Sequence, residues 1–292
     1  MRLSGILPET TKIIRDGTFS SLGTLFSRQP DHVVYATRDS DVAKIRENPS
    51  ITCVITTPAL ASAISPNIGT VVDPDPRHAF FILQAALVNN HEFVLKPFPR
   101  RIAPSAKIHP SAVLPASSVS LGKDVIIEKN VVIHEQTIIE EGSIVRSNSI
   151  IGSVPAISTD ATENILIQPA GGVYLHRDVD IHANTNISRS IFKGYTELGE
   201  QTKIDNLDTI GQGTTIGKRC LICAGVTIGE EADIGNDAWI GPNVILEDQI
   251  RIGNNVYITL GSRVCQDIAD DKVVKDNFAI DRKRFKKIIR GM

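Results

Sequence analysis

From Leu198 to Ala269 the chain reads LGEQTK IDNLDT IGQGTT IGKRCL ICAGVT IGEEAD IGNDAW IGPNVI LEDQIR IGNNVY ITLGSR VCQDIA, an unbroken run of six-residue units. An aliphatic residue leads each unit, often with Gly behind it, and a small or β-branched residue usually comes four places after the leader. A period of six fits neither the alternation of a strand nor the 3.6 of a helix. It asks for a chain that turns a corner every six residues and stacks coil on coil, with function on the outside. Three units close one triangular turn of about 18 residues, so the fold class is mainly β, a parallel β-helix of about eight or nine rungs.

Upstream the same pattern starts units at Ile102, Ile108 and Leu114, slips by one residue near Ser120, and restarts at Leu121, Ile127, Ile133, Ile139, Val145 and Ile151. Residues 153–173, with Pro155, Pro169, Gly171 and Gly172, break it. A loop of that length inside a solenoid is usually functional. Units resume at Leu175, Ile181 and Ile187, lose one residue near Phe192, and join the regular run.

Residues 1–98 carry no repeat and read as a small α/β domain. Val33–Ala36 and Ile51–Thr56 are expected strands; Ser40–Glu47, Pro58–Ala63 and Pro76–Leu87 are expected helices, the last with proline at its start. A proline hinge, Pro97–Arg100, leads into the coil at 99–269, and 270–292 forms a carboxy-terminal extension. In it Asp281–Ile289 (DRKRFKKII) reads as a short basic helix with Phe285, Ile288 and Ile289 on one face. Its Arg282, Lys283, Arg284, Lys286 and Lys287 are either a solvated face or a dock for an acidic or phosphorylated partner.

The 292 residues are 41% hydrophobic but only 5% aromatic, which suits a core of Ile, Val, Ala and Thr. A net charge of −2 gives no global attraction for nucleic acid or a membrane surface. No apolar stretch is long enough to span a bilayer, and Glu9, Lys12 and Arg15 interrupt any signal peptide, so a cytoplasmic protein is expected. Cys220 and Cys223 form a C-x-x-C, but no matching ligands follow; they fall in the units as small residues, and no metal is expected.

Beyond the repeat, Val71–Phe80 (VVDPDPRHAF), Ile102–Ala106, Ile108–Val113, Gly172-Val173, Val179–Ile181, Ala183–Thr185, Ile187–Arg189 and Lys203–Leu207 (KIDNL) follow one another in a telling order. In that order they resemble the hexapeptide-repeat acyltransferases, and among them the UDP-3-O-acylglucosamine N-acyltransferase family. The resemblance implies a left-handed coil, a homotrimer, a nucleotide held by the amino-terminal domain, and transfer of an acyl group from a thioester to a sugar amine. One departure matters. In that family a histidine, the general base toward the amine, and an asparagine follow the Asp-Asn motif; here Gln212 and Gly213 stand in their places. Glutamine accepts no proton near neutral pH. The expected function is therefore the broader one: N-acyl transfer to a nucleotide-linked amino sugar for cell-surface polysaccharide or lipopolysaccharide. An O-acyltransferase and a non-catalytic scaffold of the same fold are the alternatives.

Such a reaction needs a neutral amine, a donor for the carbonyl oxygen, and both reactants held together. His176 and His182, at the second place of consecutive units, are the candidate substitute bases; the plain alternative is two surface histidines. His134 and His109 share that place in earlier coils. Asp205 and Asn206 are candidates for the catalytic site or for a corner that needs Asx geometry. Gln212 and Arg189 are expected to contact the acceptor, and Gln212→His is expected to leave the fold intact. Gly211, Gly225 and Gly229 either clear a path for the pantetheine arm or serve the coil corners. The donor is acyl-CoA or acyl carrier protein.

Overall fold

The computed structural model describes residues 1–7, 11–27, 29–88, 90, 92–154 and 167–275. The helix expected at 281–289 lies outside them, as does much of the 153–173 loop.

Among the described residues, coil strands of mostly two to four residues form three parallel sheets, of eight, nine and seven strands. The first sheet stacks Leu198 on Ile216, Ile234 and Ile252; the second stacks Ile204 on Ile222, Ile240 and Ile258; the third stacks Ile210 on Ile228, Leu246 and Val264. The unit leaders thus fill the prism of a left-handed parallel β-helix, and Ile204, Ile210, Ile222, Ile240 and Ile258 are fully buried. Each such side chain contributes about 1.5–3 kcal/mol by leaving water.

The small residue four places after the leader has a second task. Ser143, Ser149, Thr185, Thr202 and Thr214 are buried. Their hydroxyls donate to the carbonyls of His176, His182, Asp205, Gly217 and Gly229 on the next rung. Corner carbonyls that would be stranded inside are satisfied in this way. Cys220 fills the same slot with its thiol 3.1 Å from the Gly235 carbonyl, so its place in the coil is that of a small buried residue. The corners turn through left-handed residues such as Asp237 (φ 60°) and Asn243 (φ 55°), which tolerate that conformation.

In the amino-terminal domain β1 (Lys12–Arg15), β2 (Ser21–Leu22), β3 (His32–Ala36), β4 (Ile51–Thr56) and β5 (Gly69–Val72) form a sheet in the order β1-β5-β4-β3-β2, with β1 antiparallel to β5. Helix α1 (Asp39–Glu47) joins β3 to β4, and α2 (Pro76–Leu87) follows β5, its first turn capped by the Asp75 carboxylate accepting from the His78 N–H at 3.1 Å. The expected helix at 58–63 is only a 3-10 turn, Ala61–Ala63, and the short β1, β2 and β5 have no counterpart in the sequence reading.

Two coil expectations are corrected. Phe192 leads no unit: Leu175, Ile181 and Ile187 pair with Leu198, Ile204 and Ile210, 23 residues on rather than 18. The five extra residues leave the coil after Ser188, and Ile191 and Phe192 enter the core of the amino-terminal domain, where Phe192 meets Phe80 edge-on at 5.6 Å. An 18-residue turn would place Ile187 beside Asp205; the five extra residues put His182 there instead. Pairing also runs past Ala269, since Val273–Val274 continues the second sheet beside Tyr257–Ile258.

Candidate functional site

The coil has three edges, and the candidate residues divide among them. His176 follows the first-sheet leader Leu175; His182 and Asp205 follow the second-sheet leaders Ile181 and Ile204; Gly211 and Gln212 follow the third-sheet leader Ile210. The two histidines thus stand on different edges.

On the first-to-second edge His176 lies between Glu197, whose Oε1 is 2.6 Å from Nε2, and Glu140, 3.5 Å from Nδ1. Its ring stacks on Tyr174 at 4.3 Å, and the Tyr174 hydroxyl donates to Glu140. On the second-to-third edge His182 places Nδ1 3.5 Å from Asp205 and Nε2 3.5 Å from Asp180. Arg146 engages both oxygens of Asp180 at 3.0 and 2.8 Å. Asp205 Oδ1 accepts from the Asn206 backbone and side-chain amides, and Asn206 Oδ1 accepts from the Ala183 N–H at 3.1 Å. The structure thus joins His182, Asp205 and Asn206 and leaves His176 apart. Behind them Asp208 is buried with Oδ2 unpartnered, and burial pushes its carboxyl up to about 8. Burial, with Asp205 and Asp208 nearby, also raises the Cys223 thiol.

Among the described residues, the third-to-first edge is where the chain leaves the coil after Ser153 and rejoins it at Gly172, where the 189–194 excursion departs, and where the amino-terminal domain docks. Gln84 Nε2 on α2 donates to the Ile191 carbonyl at 2.7 Å, and Gln136 Nε2 donates to Leu95 at 3.3 Å. Arg189 is half-buried; its Nε donates to the Gly171 carbonyl at 3.0 Å and its Nη2 to the Pro169 carbonyl at 3.4 Å. Gln212, expected to face an acceptor, is fully buried. Its Oε1 accepts from the Ile191 N–H at 3.1 Å, and its Nε2 donates to Glu231 at 3.0 Å and more weakly to Glu230 at 3.4 Å. It pins the excursion to the coil, which corrects the expectation of acceptor contact.

All three glycines have plain coil duties: a Cβ on Gly211 would sit 2.5 Å from the backbone of Gly229 one rung away, one on Gly229 would sit 2.5 Å from the backbone of Asp248, and Gly225 has φ +74°.

Where the domain meets this edge lie two recesses that the sequence does not announce. A cavity of about 210 Å³ has Thr24, Phe26, Ser27 and Gln29 of the domain on one side and Phe192, Lys193, Tyr195, Glu197, Gly213, Glu231 and Asp233 on the other. A wider cleft of about 770 Å³ sets Tyr35, Arg38, Lys44 and Arg77 opposite Glu247, Asp248, Gln249 and Gln266. Gln249 Nε2 donates to Glu231 at 3.0 Å, so this bond stands between the two recesses. The pair Glu230-Glu231 looks in the sequence like any other polar corner.

The fold and these repeats define a hexapeptide-repeat solenoid. The bacterial transferase hexapeptide family (six repeats) matches residues 231–265, and the hexapeptide repeat of succinyl-transferase matches 209–242. The coil is related in sequence to UDP-3-O-acylglucosamine N-acyltransferases: that of Oleidesulfovibrio alaskensis is 47% identical over 60 residues, 20% of this chain and 17% of the relative. That of Protochlamydia amoebophila is 45% identical over 60 residues, with the same shares. The chain thus spans 17% of the length of these curated relatives. Among solved structures, the UDP-N-acetylglucosamine acyltransferase of Francisella novicida matches at 20% identity and TM-score 0.42, over 65% of this chain and 71% of that one.

Proposed function

We propose that the protein transfers an acyl group from a thioester, acyl-CoA or acyl carrier protein, to the amine of a nucleotide-linked amino sugar in the cytoplasm. The observation that carries this reading is the pair of recesses at the seam. Arg38, Lys44 and Arg77 line the wide cleft and suit a nucleotide's phosphates; the adjoining cavity, walled by Glu197, Glu231 and Asp233, suits an aminated sugar. The relatives are UDP-3-O-acylglucosamine N-acyltransferases, which acylate such a sugar on nitrogen.

His176 and His182 stand on edges away from the seam and are not assigned the proton in this reading; a carboxylate lies 2.6 to 3.5 Å from each of their ring nitrogens. His182, Asp205 and Asn206 form an outward polar edge that a neighbouring protomer would meet in a homotrimer. The exposed strip of Leu221, Tyr257 and Val273, with Trp239 stacked on Tyr257 at 4.2 Å, supports such an assembly. Among the described residues no helix is long and apolar enough to cross a membrane.

The test is a product analysis. Purified protein is incubated with acyl-CoA or acyl carrier protein and UDP-amino sugars, and the products are resolved by mass spectrometry. An amide product is expected. An ester product selects the O-acyltransferase, and binding without product selects the scaffold.

A further inference from the structure

Glu231 holds a place in its unit that ought to be solvated. One unit on, Asp237 holds the same place, is exposed, and pairs with Arg219 at 2.7 Å. Glu231 is instead 9% exposed and lines the seam cavity. Stacking does not require a carboxylate there. Two side-chain amides hold it: Gln212 Nε2 donates to Oε1 and Gln249 Nε2 to Oε2, each at 3.0 Å. A carboxylate oxygen accepts more than one hydrogen bond, so each keeps capacity for a further donor. Gly213 lies beside it in the cavity wall; a Cβ there would stand 3.2 Å from Glu231 Cγ, and its absence leaves the approach clear.

We propose that Glu231 is the group that takes the proton from the acceptor amine in the seam cavity. The inference rests on the acyl-transfer reading above. The amine lone pair forms the C–N bond to the thioester carbonyl carbon, and the C–S bond breaks. The N–H proton passes to the Glu231 carboxylate and then to the departing thiolate. Amide and thiol leave, and Glu231 is again a carboxylate. An acceptor arriving as ammonium first gives one proton to water.

The surroundings tune the group for this task. Burial pushes its carboxyl up, the amide bonds from Gln212 and Gln249 pull it back, Glu230 and Asp248 push it up further, and the balance falls at about 7. A base poised near ambient pH combines the correct ionisation with a useful pull on the proton. The charged and titratable groups around it are Glu230 and Asp248 on the coil, Glu197 and Asp233 in the cavity, Lys193 on the excursion, and Tyr35, a neutral phenol, and Arg77 on the domain. The Lys193 ammonium is occupied by the Glu92 carbonyl at 2.7 Å.

The experiment is a pH profile of amide formation for the full chain and for Glu231→Gln, which keeps the side chain's size. The wild type is expected to lose activity on the acidic side near pH 7. Glu231→Gln is expected to lower kcat about 100-fold or more, with the acceptor KM changed less than about threefold and the acidic limb gone. A Glu231→Gln protein that matches the wild-type rate and limb overturns the proposal. Should that variant not fold, Gln249→Leu replaces it: losing one donor is expected to move the acidic limb to higher pH, and an unmoved limb overturns the proposal. A wild type that makes no amide from any donor tried overturns the acyl-transfer reading itself.

Discussion

Beyond Leu198 successive leaders repeat at 18 residues, while from Leu175 to Leu198 the spacing is 23. The two stretches use the same aliphatic alphabet to different ends. In the regular rungs every leader goes into the prism, and corners away from the docked domain, such as Asp237, face water. In the irregular rung Ile191 and Phe192 leave the prism for another core, and the corner below them, Gln212, becomes a buried clamp. Regularity builds the rod; the insertion attaches the domain and so creates the two recesses.

Substitutions can break or sharpen this contrast. The largest effect is expected at Phe192. Phe192→Ala should cost about 3–5 kcal/mol and release the seam. Thermal unfolding should then show the domain melting ahead of the coil; a single unchanged transition would refute the anchoring role.

Asp208 comes next, a buried acid within the regular prism. Its carboxyl is raised from 3.8 to about 8, chiefly by burial. The folded state therefore holds that proton more tightly than the unfolded chain. Its contribution to stability is full below pH 4 and is lost as the pH rises to about 8. Asp208→Asn should remove that loss, with a gain on the order of a few kcal/mol above pH 8 and little below pH 4. Denaturant melts at the two pH values give the answer, and a gain independent of pH would contradict it.

Gln212→His follows. The sequence alone suggests a neutral change, but the structure shows a fully buried amide that accepts from Ile191 and donates to Glu231. A loss of about 1–3 kcal/mol is expected, the cost of leaving a buried partner unmet. An unchanged unfolding midpoint would show that the clamp is dispensable. The smallest effect belongs to a solvated corner. Arg219→Ala breaks an exposed pair with Asp237 and should leave the unfolding midpoint where it was.

The six-residue period made the prism legible because a leader's neighbours in the stack are fixed by counting. The same counting failed at Phe192, since an apolar side chain reports that it is buried and not in which core. Helix α2 was readable from its proline and helical spacing, whereas β1 and β5 are four-residue strands without a distinctive pattern. Of the site, His182 and Asp205 were legible as candidates but not as neighbours, because the five extra residues break the 18-residue count between them. Glu231 could not, because its burial comes from a domain more than 100 residues upstream, and nothing in IGEEAD records that cover.

The uniform ladder from Leu198 to Val264 also acts as a ruler. Each complete turn repeats the same cross-section, and parallel neighbours lie about 4.8 Å apart. The docked domain lies along most of that ruler, from Gln212 through Glu231 and Gln249 to Gln266. Duplicating or excising one 18-residue turn would therefore shift Gln249 and Gln266 by a whole step against the domain, and the length of the coil is tied to the seam it carries.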